Sequence, residues 1–273
     1  MPQEPTTRPP LRVALIGLGA IGRLLCEVLA ESPGQAGVVG ALVRTGSCAG
    51  DAAGLPPSWT TLDALLASAP DVVVECAGAA ALDAVAEPLL RAGHELLVAS
   101  VGALADAQRH ARLLAAARQG GGRLLLTSGA IGGLDVLAAA RRGGLQCVRL
   151  RSSKPPAAWR GTAAADRVDL ETLQVPTPIF SGSARAAATL FPKNANVAAA
   201  IALATLGLDA TQVELVVDPG LQSNVHEVEA EGGTGRITMR FEARASANPS
   251  TSRITAYALA DALLKRVSAI ALA

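Results

Sequence analysis

Up to residue 127 the chain alternates short, densely apolar runs with longer stretches whose apolar positions recur every three or four residues. The runs at 13–16, 38–43, 71–78, 95–100 and 123–127 are rich in valine and leucine, and each predicts a buried strand. Leu24, Leu25, Val28 and Leu29 share a helical face between the first two runs, and Pro33 with Gly34 ends that helix. Residues 62–67, 80–92 and 105–118 predict three more helices. Pro88 falls inside the second of these, although an interior proline costs about 3 kcal/mol. Strand and helix in strict alternation predict a parallel sheet.

Past Leu145 the period changes. Strands are expected at 148–153, 214–218, 224–230 and 236–243, and the last three alternate well enough to be antiparallel neighbours with one face on a core. Helices are expected at 183–190 and 197–206, the second capped by an asparagine from the segment 192–196. A last helix at 252–267 is expected to pack back on the first half. Residues 1–10 are polar and proline-rich and read as a disordered tail. The expected domains are therefore 11–132 and 133–250, with the C-terminal helix within 251–273.

Three glycines mark the first strand-to-helix turn, in the order Gly17, Leu18, Gly19, Ala20, Ile21, Gly22. This spacing between strand and helix is the dinucleotide fingerprint of a Rossmann, doubly wound α/β sheet. Gly17 permits the tight turn, Gly19 lets a pyrophosphate approach the backbone, and Gly22 lets helix and strand pack closely. The helix N-terminus offers free amides to the phosphates. Strand carboxyl ends form the ligand crevice of such sheets, so Cys76 and Ala77 are expected near the cofactor. The second strand ends in Arg44, Thr45, Gly46 and Ser47, where NAD-selective folds carry a carboxylate. Arg44 either meets the 2′-phosphate of NADP or is a solvated loop residue, so both NAD and NADP are expected as cofactors. The small residues of the segment 128–135 suit the nicotinamide end.

Bulk composition narrows the partners. Half of the 273 residues are hydrophobic but only 2% are aromatic, so the core is built from small side chains. Lys and Arg total 24 against 23 Asp and Glu, without a basic block, which argues against nucleic acid or an anionic membrane as partner. No segment has the length and apolarity of a membrane span. Cys26, Cys48, Cys76 and Cys147 lack metal-ligand spacing and read as reduced thiols of a cytoplasmic protein, with no metal expected.

Proton chemistry at neutral pH points to histidine, because imidazole ordinarily titrates there. His94 precedes a strand and His110 lies within a helix, both as surface residues, whereas His226 shares a strand face with Asn224 and Val228. A lone strand histidine is also compatible with a structural role. Glu227 and Glu229 point to the opposite face of a regular strand. Lys154, Lys193 and Lys265 are the only lysines in an arginine-rich chain. Lys154 and Lys193 are candidate anion holders. Asn194 and Asn196 either orient a ligand or cap the following helix.

Five pieces in fixed order resemble the L-aspartate dehydrogenase family: the glycine turn 17–22, SGAIGGLD at 128–135, RSSKPP at 151–156, LFPKNANV at 190–197 and NVHEV at 224–228. The likeness extends over nearly the whole chain after the tail. It implies a Rossmann domain plus an α/β domain with an open-faced mixed sheet, usually in a homodimer. The implied reaction is reversible NAD(P)-dependent oxidative deamination of L-aspartate, a small dicarboxylic amino acid, through iminoaspartate, which can feed NAD biosynthesis. The family's active-site histidine falls on His226 and its cofactor contacts on Ala130 and Asn196. Lys154, Lys193 and Asn194 are then the candidates for holding the substrate. The substrate-side segment reads Arg151, Ser152, Ser153, Lys154, where the resemblance leads one to expect a threonine or a further basic residue near Lys154. A homoserine dehydrogenase-like enzyme and a non-enzymatic NAD(P)-sensing protein are the competing readings.

Overall fold

A computed structural model of the chain describes residues 9–46, 54–243 and 252–271. Ser47, Cys48 and all but the last two residues of the expected tail lie outside the described residues. The chain divides into two compact units.

The first unit is built from β1 (Leu11–Ile16), α1 (Ala20–Ala30), β2 (Ala36–Leu42), β3 (Ser58–Trp59), α2 (Leu62–Ala67), β4 (Val72–Glu75), α3 (Ala79–Arg91), β5 (Glu95–Val98), α4 (Ala107–Gly120) and β6 (Arg123–Leu126). Its six strands pair in parallel in the order β3-β2-β1-β4-β5-β6. Val13, Ala14 and Leu15 are consecutive and fully buried, as expected where helices cover both faces of a parallel sheet. The two-residue strand β3 is too short to leave a periodic signal. Helix α3 runs through Pro88 and buries Leu82, Leu89 and Leu90. Each buried leucine contributes roughly 1.5–3 kcal/mol, so together they outweigh the roughly 3 kcal/mol cost of the proline. Helix α4 begins two residues later than expected, because Val101–Ala105 winds into a 3-10 turn. That turn, with residues 106 and 107, belongs to the second unit, as do residues 128–132.

The second unit adds α5 (Leu134–Arg142), β7 (Leu145–Lys154), β8 (Thr177–Ser183), α6 (Ala184–Leu190), α7 (Asn196–Ala204), β9 (Gln212–Val217), β10 (Val225–Gly232) and β11 (Gly235–Glu242). Its sheet order is β11-β10-β7-β9-β8. The expectation that residues 214–218 would neighbour 224–230 is therefore wrong: β7 lies between them, parallel to β9 and antiparallel to β10. Alternation shows that a strand is half-buried but not which strand it pairs with. The ten-residue β7 has both edges available and takes the centre. On its inner face Val148 and Leu150 are followed by Ser152 and Lys154, all at most 8% exposed. Arg149 and Arg151 alternate onto the outer face and are exposed.

The expected asparagine cap is absent. Ala195 occupies the N-cap position of α7 without a side-chain bond, because both neighbouring carboxamide oxygens are engaged elsewhere: Asn194 with Lys154 and Asn196 with the Gly102 amide. Helix α8 (Ile254–Leu264) returns to the first unit, where Leu259, Ala260 and Leu263 join the apolar cluster containing Leu25 and Leu29 of α1.

Candidate active site

In the first unit the glycine turn lies at the switch point between β1 and β4, where an open α/β sheet binds its ligand. Gly17 has φ +92, and a Cβ on it would stand 2.6 Å from the Ala77 Cβ. A Cβ on Gly22 would reach the Gly17 carbonyl oxygen at 2.6 Å, whereas one on Gly19 would meet nothing within 4 Å. Two glycines are thus demanded by the protein's own packing, and the third leaves open space in front of the backbone. Helix α1 follows without a side-chain cap or an acidic residue in its first turn. The amides of Ala20, Ile21 and Gly22 therefore face a position suited to an anion. The residues fit a pyrophosphate.

Two side chains hold this turn. Arg23 donates to the Leu18 carbonyl at 3.1 Å, and the Cys76 thiol donates to the carbonyls of Ile16 and Gly17 at 3.4 and 3.2 Å. Burial pushes the Cys76 thiol far above its ordinary range, so it is a packing group rather than a nucleophile. Ala77 is exposed beside the turn, and Arg44 is exposed after β2 with no carboxylate partner among the described residues.

Sequence reasoning missed Glu75, which is fully buried at the end of β4. Its Oε1 accepts from the amides of Ala77 and Gly78 at 2.7 and 2.6 Å and from the Ser100 hydroxyl at 3.1 Å; its Oε2 accepts from the Ser100 amide at 3.0 Å. The carboxyl ties the ends of β4 and β5 together and fixes the bend that presses Ala77 against Gly17. The available signal was a carboxylate closing the otherwise apolar run Val72, Val73, Val74.

In the second unit His226 and Ser152 face each other across β10 and β7, with Oγ 2.9 Å from Nδ1. Lys154, two residues along the same face, donates through Nζ to Asn194 Oδ1 at 2.5 Å. Burial holds the Lys154 ammonium down to about 8, and no carboxylate pairs with it among the described residues. Burial, and then the Lys154 charge, lower His226 to about 3, so its ring is neutral at pH 7 rather than titrating there as a free histidine does. The Asn194 side-chain nitrogen, Nδ2, is buried without an acceptor among the described residues. Aromatic rings brace the group: the Trp159 ring centroid lies 5.6 Å from Lys154 Nζ, and the ring packs edge-on against Phe191, whose carbonyl accepts from the backbone N–H of Asn194.

The structure thus brings His226, Lys154 and Asn194 together with the unforeseen Ser152 and Trp159. Asn196 begins α7, and Ala130 lies in the turn closed by the Ile131 amide on the Ser128 carbonyl, in the same unit. Lys193 belongs to the 3-10 turn Pro192–Asn194, and its side chain lies outside the described residues. His94 and His110 are half-buried rather than fully on the surface.

A six-stranded parallel sheet with this glycine turn in one unit, and a buried lysine and histidine on the sheet of the other, define the class as a nicotinamide-nucleotide-dependent oxidoreductase. Two family models match: the NAD-binding domain of homoserine dehydrogenase over residues 17–127, and the C-terminal domain of aspartate dehydrogenase over residues 135–266. The L-aspartate dehydrogenase of Ruegeria pomeroyi is 50% identical over 235 residues, covering 85% of this chain and 83% of the relative. That of Ralstonia pickettii is 45% identical, covering 84% and 88%. The crystal structure of aspartate dehydrogenase from Thermotoga maritima matches with a TM-score of 0.76 and 28% identity, covering 96% of this chain and 99% of that one. The chain belongs to the L-aspartate dehydrogenase family.

Proposed function

We propose that this protein oxidatively deaminates L-aspartate with NAD or NADP, giving oxaloacetate and ammonia through iminoaspartate. The observation that carries the substrate assignment is Lys154, a buried ammonium with no carboxylate partner among the described residues. Buried charges are ordinarily paired, and a substrate carboxylate supplies the missing partner. The unpaired Asn194 amide nitrogen supports the same reading, since it gives that carboxylate a second donor.

When bound, the oxidised nicotinamide accepts the hydride that leaves the substrate Cα. The residues supply the rest. Lys154 and Asn194 hold a carboxylate and fix the substrate's orientation. His226, neutral in the free protein, accepts a proton from the substrate ammonium so that the amine lone pair can assist hydride loss. After hydride loss it releases that proton to solvent. Neutral again, it takes a proton from the water that adds to the iminium carbon and passes it to the nitrogen, which leaves as ammonia while the carbinol oxygen loses its proton to give the ketone. Burial is the main cause of the lowered basicity of His226 and the Lys154 charge the lesser one; an incoming carboxylate offsets that charge and so removes the lesser part. Gly17, Gly19, Ala20, Ile21 and Gly22 cradle the pyrophosphate; Ala77, Ala130 and Asn196 contact the cofactor, with Cys76 beneath the turn; Arg44 meets the 2′-phosphate of NADP. Lys193 is a second candidate for the other carboxylate.

The proposed assembly is a homodimer formed through the outer face of the second sheet. Glu214, Arg151, Glu227 and Arg240 run across four strands of that face with alternating charge, and a two-fold axis would set such a row against its own complement. Sedimentation tests this: Arg151→Glu with Arg240→Glu should release monomers, and an unchanged species would refute this face as the interface. Among the described residues no helix is long and apolar enough to cross a membrane. The proposed location is the cytoplasm, which suits the free thiols of Cys26, Cys76 and Cys147.

The test of the activity is the absorbance of reduced nicotinamide, followed with L-aspartate and NAD or NADP, and in reverse with oxaloacetate and ammonia. Turnover with aspartate and not with homoserine supports the assignment. Turnover with homoserine alone, or none with any substrate despite cofactor binding, overturns it.

A further inference from the structure

Ser152 does something more specific than fill space. It stands directly opposite His226 in the antiparallel ladder, on the inner face, and the two residues are 2% and 5% exposed. The next inward pair along the strands, Leu150 and Val228, is apolar, so polar contact on this face begins at Ser152. Its Oγ lies 2.9 Å from Nδ1, while Nε2 makes no hydrogen bond among the described residues.

A neutral imidazole carries one N–H and one bare nitrogen, and only the bare nitrogen can take a proton. The neighbours decide which is which. The other polar side chains gathered on this face, Lys154 and Asn194, have only donors left unpaired, so a lone pair on Nε2 complements them and an N–H there does not. A hydroxyl at Nδ1 can accept the ring's proton without adding charge. A carboxylate there would instead stabilise the imidazolium and hold the ring protonated.

We propose that Ser152 is a positioning residue that selects the tautomer of His226: its hydroxyl accepts the Nδ1 proton and keeps Nε2 bare as the proton acceptor. The proposal rests on the reading of His226 as the base of aspartate oxidation. Removing the hydroxyl leaves Nδ1–H as a buried donor without a partner, which favours moving the proton to Nε2 and silences the base.

The ring proton can be located by nitrogen-15 NMR of the full chain. It has three histidines, and the His226 signal is the one lost in His226→Gln. In the wild type Nδ1 should be protonated and Nε2 bare throughout the neutral range. In Ser152→Ala the proton should move to Nε2, and kcat with aspartate should fall roughly 10- to 100-fold while the Kd for NADH is unchanged. Ser152→Thr, which restores a hydroxyl, should restore both the tautomer and most of kcat. A wild-type spectrum with bare Nδ1 overturns the proposal, and that measurement needs no variant to fold. Wild-type kcat in Ser152→Ala also overturns it, whichever tautomer the ring adopts. Full activity in His226→Ala is a separate failure, that of the reading on which the proposal rests.

Discussion

Lys154 donates to the carboxamide oxygen of Asn194 at 2.5 Å, and the bond leaves the Asn194 amide nitrogen buried with no acceptor. The lysine ammonium, without a carboxylate partner among the described residues, thus sits one hydrogen bond away from an unpartnered buried carboxamide donor. Such an arrangement costs stability in the free protein, and on the proposed reading a substrate carboxylate relieves it.

Replacing Lys154 should separate function from stability. Lys154→Met removes a buried unpaired charge and keeps much of the side-chain volume, so Tm should hold or rise. A hydrogen bond to a charged group is worth about 1.5–3 kcal/mol, so kcat/KM for aspartate should fall roughly 10- to 150-fold or more. Calorimetry and steady-state kinetics on the same preparation check both. A falling Tm with intact kcat/KM would mark Lys154 as structural.

The pH dependence follows from the same group. Burial lowers Lys154 to about 8. Below that value the ammonium is charged and holds the carboxylate; above it the charge is lost. The profile of kcat/KM for aspartate, which reports the free enzyme, should fall on the alkaline side from about pH 8. Arginine stays charged throughout, so Lys154→Arg should remove this limb whatever it does to the maximum.

Glu75 lies in the other unit and should act on the cofactor alone. In Glu75→Gln one oxygen becomes an NH2 group, which must face an amide or hydroxyl that is already a donor. A buried donor–donor conflict costs about 1–3 kcal/mol. Tm should drop accordingly, and the Kd for NADH should rise as the bend at Ala77 loosens, while KM for aspartate at saturating cofactor changes little. Fluorescence titration with NADH is the check, and unchanged affinity would confine Glu75 to holding the sheet together.

Arg44→Asp should weaken NADP far more than NAD, because it removes a partner of the 2′-phosphate and adds repulsion. Comparing kcat/KM for the two cofactors tests this. An equal loss for both would show that Arg44 does not contact the phosphate.

Much of this was legible in the chain because local pattern carried it. The run Val13, Ala14, Leu15, Ile16 followed by Gly17 defines strand and turn by composition alone, and His226 stood out as a histidine alternating with apolar residues in a strand. Pairing was less legible. Nothing in residues 214–218 indicates that β7 intervenes between β9 and β10, because neighbour choice depends on contacts distant in sequence. Asn194 and Asn196 looked like caps because their side chains suit that role, but a buried lysine and a distant amide compete for them and win. Ser152 was readable in retrospect: Arg149 and Arg151 lie outward, so Ser152 and Lys154 must lie inward together. Their partners could come only from the fold.

The most direct measurement is kcat for L-aspartate in His226→Ala, taken together with the Kd for NADH. The histidine belongs to the second unit and the glycine turn 17–22 to the first. Turnover should fall ~100- to 10,000-fold, the range of a lost general base, while NADH binds as in the wild type. Wild-type turnover in this variant, with an unchanged pH profile, would contradict the assignment of His226 as the proton-transfer residue.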